Sequence, residues 1–245
     1  MRQAGRVVHR ALEAIRQRIE PGVTTASLNE TAERIIRQSG ADALFRGVRV
    51  PQAKFPFPAA ICASVNDEVV HGIPGDRILR VGDVVSVDCG VRLNGFCGDS
   101  ATTIPVGTID PQRARLLEVT ERALAIAIET IRPGLWWSDV AGRMQSHVES
   151  AGFSVVREFV GHGIGREMHE DPKVPNYVDR RGGDFRLEPG MVLAVEPMVN
   201  VGSEKVMYGD ASGWTVRTAD GTASAHFEHT LAVVDGGVEV LTDGR

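Results

Sequence analysis

Acids and histidines recur in this chain twice, in the same order. The first copy reads Val70-His71-Gly72-Ile73, then an apolar segment from Leu79 to Asp88, then Phe96-Cys97-Gly98-Asp99. The second reads Gly161-His162-Gly163-Ile164, then Leu187 to Glu196, then Phe227-Glu228. Leu, Gly, Val and Val fall in register within the two apolar segments, and an acid closes each. Three matches in one order point to a duplicated half. Two such halves related by a pseudo-twofold axis would bring four carboxylates and at least one histidine to a common centre. Their charge of about −4 is what two divalent cations neutralise, and two-metal sites do hydrolytic chemistry.

Asp88 ends the run Val84-Val85-Ser86-Val87, which is too apolar for an exposed strand. A carboxylate buried there costs several kcal/mol unless it is paired or ligates a cation. Asp99 follows Asn94-Gly95, a strong hairpin signal. With Asn94 and Gly95 as the central turn residues, Asp88 faces Ala101 and Asp99 is its diagonal neighbour. With Leu93 and Asn94 there instead, Asp88 and Asp99 stand directly opposite. Either register puts both acids on one face, whereas an odd-length loop without a bulge separates them. Two such charges repel unless a cation lies between them. Arg80 and Arg92 are the arginines that could pair with them instead. In the second copy, Glu196 closes the apolar run Val192-Leu193-Ala194-Val195, and Glu228 follows Phe227.

The histidines divide by context. His9 and His147 lie on helical stretches and read as packing or surface residues. His226 and His229 flank Glu228 on a strand, where they could support the acid. His162, in Gly161-His162-Gly163-Ile164-Gly165, and His71, before Gly72, sit in glycine-framed backbone that permits close approach. His169 follows shortly after. Any of these three could equally be a hydrogen-bonded loop histidine. Other catalytic patterns fail: His169-Glu170-Asp171-Pro172-Lys173 lacks the second histidine of HExxH, and there is no GxGxxG, P-loop or GxSxG.

The elements that must position these groups follow from periodicity. Val8, Leu12, Ile15 and Ile19 mark a first helix stopped by Pro21-Gly22, and Leu28, Ala32, Ile35 and Ile36 a second, ending near Gly40. Strand-like sequence runs from Ile61 to Thr103. A long helix starts at Pro111 and runs to Pro133-Gly134, another spans about Ser138 to Ser150, and strands return from Phe153. Helices, strands, helices, strands is an α+β order that matches the repeat. A single domain over 1–245 is expected, its halves roughly 1–108 and 109–245.

At 245 residues, 42% apolar, 24% charged and with a formal net charge of −5, the chain buries an ample core without disulfides and is not basic enough for nucleic acid or anionic membrane. No run of about 18 apolar residues predicts a membrane span, and no apolar signal region opens the sequence. Cys62, Cys89 and Cys97 form no CxxC, which reads as reduced and cytoplasmic, although Cys89 and Cys97 could bridge across a hairpin.

With these residues in place, the chain closely resembles a type I methionine aminopeptidase from about Arg2 to Leu241. Phe159-Val160-Gly161-His162-Gly163-Ile164-Gly165, His169 and Val174-Pro175-Asn176-Tyr177 carry the resemblance, with Asn66-Asp67-Glu68-Val69-Val70-His71-Gly72-Ile73-Pro74 and Val195-Glu196-Pro197-Met198. It implies the pseudo-twofold pita-bread fold, with antiparallel sheet flanked by helices. It also implies removal of the initiator methionine from nascent proteins with a small second residue, using a water activated by two divalent ions. The ions would be Co, Mn, Fe(II) or Zn. Asp88 would hold one, Asp99 and Glu228 would bridge both, and His162 and Glu196 would complete the other. Glu196 would also shuttle a proton. His71 would contact the substrate amide and His169 the scissile carbonyl, while Cys62, Phe57, Met168 and Trp214 match the methionine pocket. The implied partner is the N-terminal methionine of nascent chains at the ribosome, met by a monomer that touches neither nucleic acid nor membrane.

Lys54-Phe55-Pro56-Phe57-Pro58 departs from the family's usual pattern at the pocket rim, and extra residues follow Gly47. Three rival readings remain. A prolidase or Xaa-Pro aminopeptidase usually carries a separate N-terminal domain, for which there is no room. A partner-binding pita-bread protein without metal would not need all five ligands. A plain metal store would not need His71 and His169.

Overall fold

The computed structural model describes residues 1–179 and 183–245. Apolar residues spaced three and four apart fold as α1 (Arg2–Arg16) and α2 (Thr25–Gln38). Thr24 caps α2 by accepting from Ser27 N at 3.3 Å. Helix α1 stops at Arg16, earlier than its apolar pattern predicts, and closes in a turn where Arg18 N and Ile19 N both donate to Ile15 O. Ile19 still packs on the same core from the turn that follows. Strands β1 (Asp42–Ala43), β2 (Cys62–Val65), β3 (Glu68–Val70), β4 (Val84–Leu93) and β5 (Phe96–Pro105) complete the first half.

The second half repeats that order. Helix α3 (Pro111–Thr130) is capped by Asp110, whose side chain accepts from Arg113 N at 2.9 Å, and α4 (Trp137–Ser150) follows. The strands are β6 (Ser154–Val155), β7 (Gly161–Gly163), β8 (Glu170–Val174), β9 (Val192–Val195), β10 (Met198–Asn200), β11 (Val206–Tyr208), β12 (Val216–Thr218), β13 (Ser224–His226), β14 (His229–Val234) and β15 (Gly237–Val240). All pairings among them are antiparallel.

Each helix pair buries its apolar stripe against its own strands. Val8, Leu12, Ile15, Leu28 and Ile36 pack with Val85, Val87, Cys89 and Val91 of β4. Leu116, Leu124, Val140, Met144 and Val148 pack with Leu193 and Val195 of β9 and Leu231 and Val233 of β14. The alternate residues of β4 and β9 turn away from the helices, toward the space between the halves. Close backbone contact locks α1 down: a Cβ at Gly98 of β5 would lie 2.8 Å from Gly5 N.

Polar contacts form the seam between the halves. Thr230 Oγ1 accepts from Asp99 N at 3.0 Å and donates to Asp99 O at 2.7 Å. Thr103 Oγ1 does the same to His226, at 2.8 and 2.9 Å. Between them, Glu228 N donates to Ala101 O at 2.9 Å. Backbone groups on this buried edge are thereby satisfied, while the side chains of Asp99 and Glu228 stay free to face the cavity.

Candidate metal centre

The hairpin between β4 and β5 turns at Asn94 (φ 53°) and Gly95 (φ 76°), the left-handed pair of a tight two-residue turn. Asp88 therefore faces Ala101 and Asp99 faces Gly90, the first of the two registers considered above. The acids are diagonal neighbours on one face. Gly90 is needed there, because a Cβ would come within 2.9 Å of the Phe45 ring and 3.1 Å of Asp99 Oδ1.

Strand β9 sets out the other half of the site. On one side Ala194 pairs with His162, on the other Val195 pairs with His229, and Glu196 and Glu228 adjoin that pair. The glycines framing His162 are dictated by crowding. A Cβ at Gly161 would strike Ala194 O, and one at Gly163 would strike Asp171 O. Asp99, His162 and Glu228 offer donor atoms that all lie within 4.8 Å of one another. Glu196 Oε1 is 3.6 Å from His162 Nε2, and Asp88 closes the group beside Asp99.

Asp88 Oδ1, Asp99 Oδ1 and Glu228 Oε1 are buried without a hydrogen-bond partner. Arg92 pairs with Glu167 at 2.8 Å instead, and among the described residues no arginine or lysine forms an ion pair with these acids. Burial, then the charges of neighbouring acids, holds the Asp88 and Glu228 carboxyls well above the usual range. Burial and Glu196 push Asp99 up to about 8. Burial pushes Glu196 up to about 7, with His162 opposing it. Burial lowers His162, against the pull of Glu196. Its Nδ1 lies 2.8 Å from Gly163 O, which takes the ring proton there and leaves the Nε2 lone pair facing the acids. Orphaned carboxylate oxygens beside an imidazole lone pair fit divalent metal ions, and suit Mn, Fe(II), Co or Zn without selecting one.

All the residues predicted for the site line one cavity of about 210 Å³. At its apolar end Phe57 and Trp214 meet edge to face, with ring centroids 5.1 Å apart, and Cys62 and Met168 join the same cluster. His169 stands beside His162, with ring centroids 4.4 Å apart. His71 lies against Phe159 and Trp214, and burial pushes it down to about 4. Its backbone is left-handed (φ 60°), and Gly72 follows because a Cβ there would lie 2.5 Å from Ala63 O.

The unusual 48–58 segment forms part of the cavity wall through Val48, Val50 and Phe57. It is tied down by Lys54 N to Ser212 O and Trp214 Nε1 to Phe55 O, both at 2.9 Å. Phe159, which opens the glycine-framed motif of His162, lines the cavity too, as does Phe45, which no sequence pattern marks because it comes from irregular chain. His226 also lines it, whereas His229 turns its Nδ1 to Thr242 Oγ1 at 2.9 Å. Cys89 and Cys97 face Ser100 and Arg92 across the hairpin, and all three cysteines are free.

Paired helix-backed halves closing on a buried acid cluster define a class that comparison with known proteins makes explicit. The family model described as metallopeptidase family M24 matches residues 1–235. Methionine aminopeptidase 1 of Bacillus subtilis (strain 168) is 48% identical over 99% of this chain and 94% of its own length. The crystal structure of methionine aminopeptidase from Rickettsia prowazekii superposes with a TM-score of 0.93 at 39% identity, covering 99% of this chain and 95% of that one. An Xaa-Pro dipeptidase from Bacillus anthracis shares the fold, with a TM-score of 0.76 at 24% identity, over 60% of that longer chain. The chain belongs to metallopeptidase family M24 and, within it, to the methionine aminopeptidases. The fold is accordingly the pita-bread arrangement.

Proposed function

We propose that this chain removes N-terminal methionine from polypeptides, preferring those with a small second residue, by metal-dependent hydrolysis. The observation that carries the reading is one cavity with five carboxylate and imidazole donors at one end and an apolar slot at the other. An amine and its scissile bond would sit at the first, the methionine side chain in the second. Phe57, Trp214, Cys62 and Met168 give that slot polarisable, adaptable walls suited to a thioether.

Asp88 would hold one ion, Asp99 and Glu228 both, and His162 and Glu196 the other. Two bound divalent ions lower the pKa of water and stabilise negative charge on oxygen at neutral pH. Glu196, which lines the cavity beside the other ligands, would carry a proton to the leaving amine. His71, neutral and next to the slot, contacts the substrate amide, and His169 donates to oxygen as charge develops there. The apolar walls exclude water from the reacting bond.

The reading treats residues 1–245 as one catalytic unit with two ions, acting as a monomer in the cytoplasm on nascent chains at the ribosome. Among the described residues no helix is long and apolar enough to cross a membrane. A peptide panel tests the activity. Methionine is released from Met-Ala-Ser and poorly from Met-Leu-Ser. Equal release from both would remove the second-residue preference, and cleavage of Xaa-Pro dipeptides alone would replace the reading with a prolidase one.

A further inference from the structure

Glu196 sits between two imidazoles, one against each oxygen. His162 Nε2 is 3.6 Å from Oε1, and His226 Nε2 is 3.5 Å from Oε2. The two rings are not equivalent. His162 has committed its ring proton to Gly163 O through Nδ1, so its Nε2 carries only a lone pair. The His226 ring is held differently. Its backbone N–H and C=O are both bound by the Thr103 hydroxyl, which fixes where the side chain leaves the strand. The residue is only 2% exposed, yet Nε2 has no hydrogen-bond partner. A buried ring nitrogen without a partner is costly, and the acceptor it faces is Glu196 Oε2.

We propose that His226 is a positioning residue for Glu196: its Nε2–H donates to Oε2 and keeps Oε1 turned toward His162 and the ions. This rests on the metal-dependent reading above. A donor at Oε2 holds the carboxylate in one orientation and prevents it from swinging to bind an ion through both oxygens. Carboxylates that bind metals are commonly held by such outer hydrogen bonds. His226 lines the cavity, and its effect on the ions passes through Glu196.

Two substitutions separate a donor from a space-filler. His226→Gln keeps an N–H near the place of Nε2, and His226→Leu fills the volume without one. Each is compared with wild type by cobalt(II) titration, by the absorption spectrum of the cobalt-loaded protein, and by kcat and KM on Met-Ala-Ser. His226→Leu should lower kcat by roughly 10–100-fold with KM changed less than about threefold. It should also change the cobalt spectrum or weaken one cobalt site. His226→Gln should restore the spectrum and bring kcat back to within about threefold of wild type. If the leucine variant does not fold, His226→Asn, whose amide stops short of Glu196, takes its place. Wild-type spectrum and kcat in the donor-free variant would overturn the proposal. So would a glutamine variant as impaired as the leucine one, because the imidazole itself would then be required. If wild type releases no methionine but binds cobalt, the hydrolase reading fails, and the spectra alone still decide the role of His226.

Discussion

Asp88, Asp99 and Glu228 each keep a buried oxygen that no protein donor reaches, and burial raises all three carboxyls above the ordinary range. Left alone such a cluster holds protons, and with cations it ionises and binds them. Asp99 shares a common point with His162 and Glu228, since the donor atoms of all three lie within 4.8 Å of one another. Asp99→Ala is expected to lose metal and methionine release together, as read by elemental analysis and a peptide assay. Full activity with intact metal would remove Asp99 from the ligand set. His169 is expected to behave differently. His169→Ala should leave metal content unchanged while kcat falls by about 10²–10³-fold, the usual cost of one oxyanion donor. Loss of metal in that variant would make His169 a ligand instead. Of this arrangement, Asp88 and Glu196 were legible in the sequence because each closes an apolar run, and Asp99 because it follows the Asn94-Gly95 turn. The contact between His226 and Glu196 was not, since it joins strands that no local pattern pairs.

At the level of elements, the site depends on short, crowded backbone segments. The Asn94-Gly95 turn gives the β4–β5 register, and alternation then puts Asp88 and Asp99 on one face. That much follows from turn chemistry and a period of two, which is why it was readable from the chain. The glycine frames of His71 and His162 were also visible as a pattern, but their cause lies in neighbouring strands. Gly72 abuts the backbone of Ala63 and Ser64, at 2.5 Å from Ala63 O and 2.8 Å from Ser64 Cα for an added Cβ. Neither atom is the end of a flexible side chain, so Gly72→Ala must displace the loop that carries His71. The substitution should cost about 1–3 kcal/mol in urea unfolding and raise KM without loss of metal. Wild-type stability and KM would show that the loop yields at no cost. The 48–58 segment was recognisable as a departure but not as a wall. Its contacts with Ser212 and Trp214 depend on residues over 150 positions away.

For the whole molecule, an apolar core backs each half, and a polar seam together with smaller apolar clusters joins them, with the acids at the junction. Stability should therefore respond to metal and pH together. Above about pH 7.5 the buried histidines His71, His226 and His229, lowered to about 4, about 3 and about 4, are neutral whether folded or unfolded and add no slope, as are His162 and His169, which burial also lowers. Asp99 and Glu196, raised to about 8 and about 7, still bind protons when folded but not when unfolded. The folded state then holds more protons, so the metal-free protein should lose stability as pH rises from about 7.5 to about 8.5. Saturating divalent metal should flatten that dependence, and at about 100 times its Kd should add about 2.7 kcal/mol. A urea midpoint in metal-free protein that is flat or rising over this window would mean the acids are not protonated in the fold. The repeat made the doubled architecture legible, whereas the polar seam depends on hydroxyls (Thr103 and Thr230) that nothing in their local sequence distinguishes. The most direct test strips the protein with a chelator and then titrates back Mn, Fe(II), Co or Zn while methionine release from Met-Ala-Ser is followed. Release should vanish on stripping and return with at least one of these ions, in step with binding at the acid cluster. Undiminished release after metal removal, or none with any of the four, would contradict the account.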